Sequence, residues 1–337
     1  MVKQVKSNLN NTLIPKGRTL YFNEELHKYT DDLETNYTST TTVIGKYHEK
    51  FDNSAIQIAE ACERIGKKPN HPKYLKYKNK TAKQILYEWD QIRDNACAKG
   101  TNKHSYLETT VKAASGYNIN AKGFIDGKIY TIDDIIRGHN YGKLSLNFFV
   151  KSGIKDKYPS IYAVIENLVN QGFRIYAEIG AYSLEYRISG LIDILFVRGL
   201  EFIILDWKTN GAPIKFESGY FDKDNDGRLL LDKFINQDKF MFYPLNYLAD
   251  SIGIHYTLQL SIYDFLIESF GLTCLGNILC HIRTIESDSI SFSETTGLPI
   301  EKEEVTFIPI KYLKSDVEKL LSHHLTLVEQ PKNLFNT

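Results

Sequence analysis

Two apolar runs, each with one acid set into it, constrain this chain more than any other feature. Residues 187–197 include Ile188, Leu191, Ile192, Ile194, Leu195, Phe196 and Val197, and residues 201–208 include Phe202, Ile203, Ile204, Leu205 and Trp207, with Arg198-Gly199 between them. Runs so rich in β-branched and aromatic residues, joined by a Gly-containing turn, predict two antiparallel strands of a buried sheet. Inside them stand Asp193 and Asp206, and Lys208 lies two residues past Asp206, on the same strand face. An unpaired charge amid apolar neighbours is costly, so Asp193 needs a partner. Where a hairpin brings two carboxylates to about 4 Å, they repel by roughly 4 kcal/mol at an effective dielectric of 20. A bound divalent cation removes that repulsion. Carboxylate oxygens with open positions for water and phosphate oxygens suit Mg²⁺ or Mn²⁺ better than zinc. Such an ion would acidify a bound water and neutralise charge growing on phosphorus, while Lys208 orients the water or stabilises that charge. Taken alone, the Asp-x-Lys spacing reads first as an ordinary strand-end ion pair and proves little.

The rest of the chain supplies a frame for these strands. A third strand is predicted at 173–184, with Glu178 inside it, so three antiparallel strands run in succession. Helical spacing appears at 55–65, over 81–114 with Gly100 as an interruption, at 159–169 and at 255–270; a further strand is expected at 275–283 and a closing helix at 310–327. Residues 19–43 read as short strands, with Asp31-Asp32 as a turn and the threonine-rich stretch 38–42 favouring strand. Residues 116–147, punctuated by Gly and Asn, read as an excursion with short elements of its own, and 209–246 as a polar excursion. The expected organisation is a β-rich segment (1–50), a helical region with a basic stretch (51–115), an insertion and helix (116–171) and a core (172–337).

Composition excludes several classes. With 42% hydrophobic and 24% charged residues, the 337-residue chain can bury a large core. Lys+Arg and Asp+Glu both number 41, so any polyanion binding must come from a local patch. The most apolar stretch, 190–207, is broken by Asp193, Arg198, Glu201 and Asp206 and cannot cross a membrane. Before Glu24 the chain has Lys3, Lys6, Lys16 and Arg18 but no apolar core, which argues against secretion, matches a mitochondrial transit peptide only faintly, and leaves a cytoplasmic location as the expectation.

Two more groups of residues carry chemistry. His104 and Glu108 lie four apart on one helix face, where the imidazole can add a nitrogen ligand. Gln259 and Tyr263, also four apart, aim an amide and a phenol in one direction beside an apolar stripe, suited to holding a phosphate or supporting Lys208.

In this order Gly100-x3-His104-x3-Glu108, Glu178, Gly190-x2-Asp193, Asp206-x-Lys208-Thr209 and Gln259-x3-Tyr263 resemble the RecB-like branch of the PD-(D/E)XK nucleases, over residues 81–283. Residues 21–43, with His27, Tyr29 and the threonine-rich run, are similar to the opening of phage exonucleases and of the mitochondrial genome maintenance exonuclease. The resemblance implies an α/β fold with an αβββαβ mixed sheet flanked by helices, a small β-rich N-terminal segment and helical insertions. It implies Mg²⁺- or Mn²⁺-dependent hydrolysis of DNA phosphodiesters, with His104, Asp193, Asp206 and the Trp207 carbonyl as metal ligands, Glu178 assisting a second metal, and Lys208 as the catalytic lysine. Gln259 and Tyr263 complete the catalytic set. Some members hold an iron–sulfur cluster through four cysteines; here Cys62, Cys97, Cys274 and Cys280 lack the spacing, and no cluster is expected.

Residues 64–83 contain Lys67, Lys68, Lys73, Lys76 and Lys78 interleaved with Tyr74 and Tyr77 and hold no acid. Ammonium groups that follow phosphates and tyrosines that stack on bases describe a single-strand DNA groove, and a solvated basic loop is the competing reading. Related exonucleases use this region to arch over the active site, which favours threading of a free DNA end. Residues 221–227 imitate the start of an EF-hand loop, but Lys233 stands where a bidentate Glu is required, so a polar hairpin turn is expected. His323-His324 reads as a helix surface pair. The expectation is a DNA exonuclease acting on single-stranded ends in replication, recombination or repair; an endonuclease of restriction or CRISPR-adaptation type, or a non-catalytic DNA-binding protein of the same fold, are the alternatives.

Overall fold

A computed structural model describes residues 18–23, 26, 28–50, 52–115, 128–136, 143–224, 228–285, 291–292, 299–300 and 302–329. The segment before Arg18, His27, most of the 116–147 excursion and residues 225–227 of the polar turn lie outside the described residues.

The elements are β1 (Leu20–Asn23), β2 (Lys28–Asp31), β3 (Asn36–Ser39), α1 (Thr40–Ile44), α2 (Asp52–Ile65), α3 (Tyr74–Tyr77), α4 (Ala82–Ala114), β4 (Lys128–Ile129), α5 (Ile132–Ile136), α6 (Leu146–Lys151), α7 (Ile154–Lys157) and α8 (Pro159–Asn170). There follow β5 (Arg174–Ser183), β6 (Ile188–Arg198), β7 (Glu201–Lys208), β8 (Gly219–Lys223), β9 (Leu229–Asn236), α9 (Ile252–Glu268), β10 (Thr273–Ile285), β11 (Ser291–Phe292), β12 (Pro299–Ile300), β13 (Lys302–Ile310) and α10 (Lys314–Glu329).

One mixed sheet organises the chain. The apolar runs pair as an antiparallel meander β5-β6-β7, turned between β6 and β7 by Gly199 at φ 61°, a conformation glycine adopts at no steric cost. β10 adds parallel to β7, and β13 adds antiparallel to β10. Beyond Ile194, on the same edge that β7 occupies, β6 pairs in parallel at Ile188 and Ser189 with β3, which carries β2, β1 and β4. The β-rich entry segment is thus part of the main sheet.

Two hydrophobic clusters cover the sheet with helices. Leu107, Val111 and Ala114 of α4 and Ile161 and Ile165 of α8 pack with Ile194, Leu205 and Trp207, while Leu258, Ile262 and Tyr263 of α9 and Val317 and Leu320 of α10 pack with Leu195, Phe202 and Ile204. These side chains are essentially excluded from solvent, and each fully buried Leu, Ile or Phe contributes about 1.5–3 kcal/mol.

The structure corrects several expectations. Gly100 does not interrupt α4, whose 33 residues run unbroken from a capping box at Thr81 and Gln84. The threonine-rich run does not stay extended: the Ser39 hydroxyl accepts from the Thr42 amide at 3.1 Å and starts α1. α9 begins at Ile252, capped by Ser251, three residues ahead of the expected start at His255. Ile310 ends strand β13, so the closing helix starts at Lys314. His323 and His324 are not a surface pair. His323 Nδ1 is 3.0 Å from the Tyr47 hydroxyl, and His324 is fully buried because α10 packs over the sheet with that side inward. The excursion 209–246 contains the β8–β9 hairpin.

Candidate functional site

Strand register brings three of the expected residues onto one line. β5 and β6 pair at Ala177↔Ile194 and Ile179↔Ile192, which sets Glu178 against Asp193 between them. β6 and β7 pair from Arg198↔Glu201 to Ile194↔Leu205, and one further step of the same register sets Asp193 against Asp206. At that step regular pairing gives way: the Trp207 amide donates to Asp193 Oδ2 at 2.8 Å, and β6 goes on to pair with β3 at Ile188 and Ser189. The carboxylates therefore lie at a fork where β7 and β3 part. Glu178 sits there at φ 55°, a left-handed conformation that costs a non-glycine residue about 1–3 kcal/mol and so marks a position held by its surroundings.

Helix α4 supplies the imidazole. Its approach is set by Gly100, where an added Cβ would fall 2.8 Å from Thr209 Oγ1, just beyond β7. One turn further on, His104 Nδ1 lies 3.7 Å from Asp193 Oδ2 and the ring bonds to the Trp207 backbone. Glu108 pairs with Lys112 on the same helix, and both interact electrostatically with Glu178.

Helix α9 supplies the support for Lys208. The Lys208 ammonium lies 2.5 Å from Asp206 Oδ2 and donates to Gln259 Oε1 at 3.2 Å, and Gln259 Nε2 donates to the Tyr263 hydroxyl at 3.3 Å. Tyr263 packs against Gly190, where a Cβ would come within 2.7 Å of its ring. Sequence reasoning missed Tyr256 and Asn210. The Tyr256 ring lies under the Lys208 ammonium at 4.4 Å, and its hydroxyl donates to Asn210 Oδ1 at 2.8 Å. Tyr256 is three residues from Gln259, so the helical spacing that picked out Gln259 and Tyr263 was the available signal.

The electrostatics match a crowded carboxylate row. Burial, then Asp206 and Glu178, push the Asp193 carboxyl well above its usual range. Burial, then Glu108, push Glu178 up to about 8. Burial works against the Lys208 ammonium, but Asp206 and Asp193 hold its pKa above the usual value, so it stays charged. Burial lowers the His104 pKa against the pull of Asp206, which leaves the imidazole neutral near pH 7 with a lone pair for a ligand.

The donor set fits a hard divalent cation: repelling, largely buried carboxylates and a neutral imidazole, with Asp206 Oδ2 buried beside the Lys208 ammonium. No three of His104, Glu178, Asp193 and Asp206 offer ligand atoms all within 4.8 Å of one another; among the described residues the trio that does is His48, Asp250 and His255.

The basic stretch is less open than its sequence suggests. Lys67 pairs with Glu63, and Lys73 reaches across to Asp222 of β8 at 3.0 Å. Tyr77 packs on Ala59, Cys62 and Ile85 rather than standing free, because Gly66 lets the α2–α3 turn close onto its carbonyl. Lys68 and Lys78 are exposed; the Lys78 and Lys76 ammonium groups lie 5.6 and 5.9 Å from the rings of Tyr74 and Tyr77. The stretch is docked on the β8–β9 hairpin and lies separate from the carboxylate row in the contacts described.

Cys62 and Cys280 are buried, Cys274 is half-buried and Cys97 is exposed, and none is paired. No described helix is long and apolar enough to cross a membrane. No protein-family model matches the chain, and neither a curated protein nor a solved structure matches it.

Proposed function

We propose that this protein is a metal-dependent deoxyribonuclease of the RecB-like PD-(D/E)XK type, acting as an exonuclease on single-stranded DNA ends. The observation that carries the reading is the alignment of Glu178, Asp193 and Asp206 across three adjacent strands, with Lys208 beside Asp206 and His104 facing Asp193. The order α4-β5-β6-β7-α9-β10, with β10 parallel to β7, agrees with the αβββαβ core that the resemblance implies.

Asp193, Asp206 and His104 would hold Mg²⁺ or Mn²⁺, with Glu178 at the end of the row and the Trp207 carbonyl as a further oxygen. When bound, the ion supplies an acidified water and charge neutralisation at phosphorus. Lys208 keeps its proton and presents a fixed positive charge beside Asp206, suited to orienting the attacking water or stabilising negative charge on a phosphate oxygen. Gln259 and Tyr256 fix that ammonium from α9, and Tyr263 fixes Gln259. His104, held by Asp193 and the Trp207 backbone, keeps a neutral nitrogen at the fork. Exposed Lys68, Lys78 over the Tyr74 ring and Lys76 over the Tyr77 ring would engage a strand outside the fork.

The test uses a linear single-stranded oligonucleotide labelled at either end and a covalently closed circle, incubated with Mg²⁺, Mn²⁺ or EDTA, with Asp206→Ala as control. Metal-dependent loss of the linear strand with survival of the circle supports the exonuclease and gives its polarity. Cutting of the circle assigns an endonuclease of the same fold. Intact substrates with wild-type protein overturn the catalytic reading in favour of DNA binding.

A further inference from the structure

A second group of ligating side chains lies outside the carboxylate row. His48 follows α1, and Asp250 and His255 bracket the first turn of α9; one ligand atom of each lies within 4.8 Å of the others. His255 Nε2 lies 2.9 Å from Asp250 Oδ1, and both side chains are largely shielded from solvent. The His48 and His255 rings stack with centroids 4.2 Å apart, so two imidazoles crowd one carboxylate.

The three residues are positioned by the fold. His48 Nδ1 lies 3.1 Å from the Glu49 carbonyl, the pattern in which one ring nitrogen is fixed by the backbone and the other is left to ligate. The Asp250 amide donates to the Lys239 carbonyl at 2.9 Å. Ser251, next in the chain, caps α9 and its hydroxyl donates to the Phe216 carbonyl at 3.0 Å. Preset donors of this kind lose little conformational freedom when an ion binds.

We propose that His48, Asp250 and His255 form a binding site for a first-row divalent transition ion, Zn²⁺ or a near neighbour, distinct from the Mg²⁺ or Mn²⁺ site proposed at the carboxylate row. Two imidazoles with one carboxylate select such an ion over Mg²⁺ or Ca²⁺, which prefer oxygen. Three protein ligands leave a fourth position, and the trio lines a pocket of about 590 Å³ whose wall also carries Lys215 and Lys223, so water or an anionic oxygen can complete the sphere. The ion would fasten the chain after α1 to the start of α9, the helix that supports Lys208 through Tyr256 and Gln259. The inference stands on this donor set and does not require the nuclease reading.

The experiment strips the full chain with EDTA, dialyses it against Zn²⁺ in excess Mg²⁺, and counts retained zinc by mass spectrometry; Co²⁺ titration with visible absorption reports the geometry. One Zn²⁺ per chain and an intense four- or five-coordinate Co²⁺ band are expected. His48→Ala and Asp250→Asn should each weaken binding about tenfold or more, with far-UV circular dichroism confirming that each variant is folded, while the double variant Asp193→Asn/Asp206→Asn leaves it unchanged. Absence of retained zinc, retention that survives both His48→Ala and Asp250→Asn, or loss that follows Asp193 and Asp206 instead would each overturn the site.

Discussion

Gly100 and Thr209 meet so closely that a single added methyl group on the glycine would fall 2.8 Å from the threonine hydroxyl oxygen. Glycine costs about 1 kcal/mol relative to alanine inside a helix, so its place in the middle of α4 has to be explained by this approach. It sets the distance between the helix carrying His104 and the end of the strand carrying Asp206 and Lys208.

Gly100→Ala should be tolerated, because the Thr209 side chain can turn away and the helix gains propensity. Gly100→Leu cannot be accommodated that way and should push α4 outward, lowering the cleavage rate about tenfold or more while the melting temperature changes by only a few degrees. Rates and thermal melts of both variants check this. A Gly100→Leu protein that cleaves at the wild-type rate would separate the position of α4 from the chemistry.

Lys208 and Asp206 should be far more sensitive than Gln259. On the proposed activity, Lys208→Ala or Asp206→Ala removes a charged group at the reacting centre and should lower the rate about a thousandfold, with DNA affinity by fluorescence anisotropy changed by only a few-fold. Gln259→Leu leaves the ammonium between Asp206 and the Tyr256 ring, so a loss of about tenfold is expected. Equal losses at Gln259 and Lys208 would show that the amide does more than hold the lysine.

How much of this was legible follows from what each residue does. Asp193 and Asp206 stand out because an acid inside an apolar strand needs a reason, and period-two alternation then points to Lys208. Glu178 is harder: its left-handed φ breaks the alternation, so Ala177 and Ile179 on either side of it pack in different clusters. Strand β13 was missed because Lys302, Glu303 and Glu304 make it polar, as suits an outer strand, and its end at Ile310 looked like a helix start. Tyr256 passes for core in an apolar helix. His48, Asp250 and His255 are joined by no motif spacing, and only folding brings His48 to the other two.

Gly190 gives a test of packing independent of DNA cleavage. A Cβ there would meet Tyr263 at 2.7 and 2.8 Å and Thr40 Oγ1 at 2.9 Å, and the Tyr263 ring has no free space to move into because it is buried in the core between α9 and the sheet. Overpacking of this kind costs about 1–3 kcal/mol. Gly190→Ala should therefore lower the urea midpoint measurably without changing the slope of the transition. A midpoint equal to wild type would mean that α9 can shift as a body.

His324 should make the fold acid-sensitive. Its side chain is fully buried, neither ring nitrogen has a hydrogen-bond partner, and burial, with Lys46 and His323 adding to it, lowers its pKa to about 4. The unfolded chain binds a proton at this position below about pH 6.5, whereas the folded chain resists it until about pH 4. Over that interval the unfolded state holds more protons, so stability falls as pH falls, by up to about 3 kcal/mol from this one group. Replacing His324 with Leu removes the titration and puts an apolar side chain in a fully buried position. Urea unfolding at pH 7, 6, 5 and 4.5 should show wild type losing stability on acidification and His324→Leu losing less, with the gap between them widening as pH falls. Parallel curves for the two proteins would mean that the ring is reached by water or by a proton acceptor in solution.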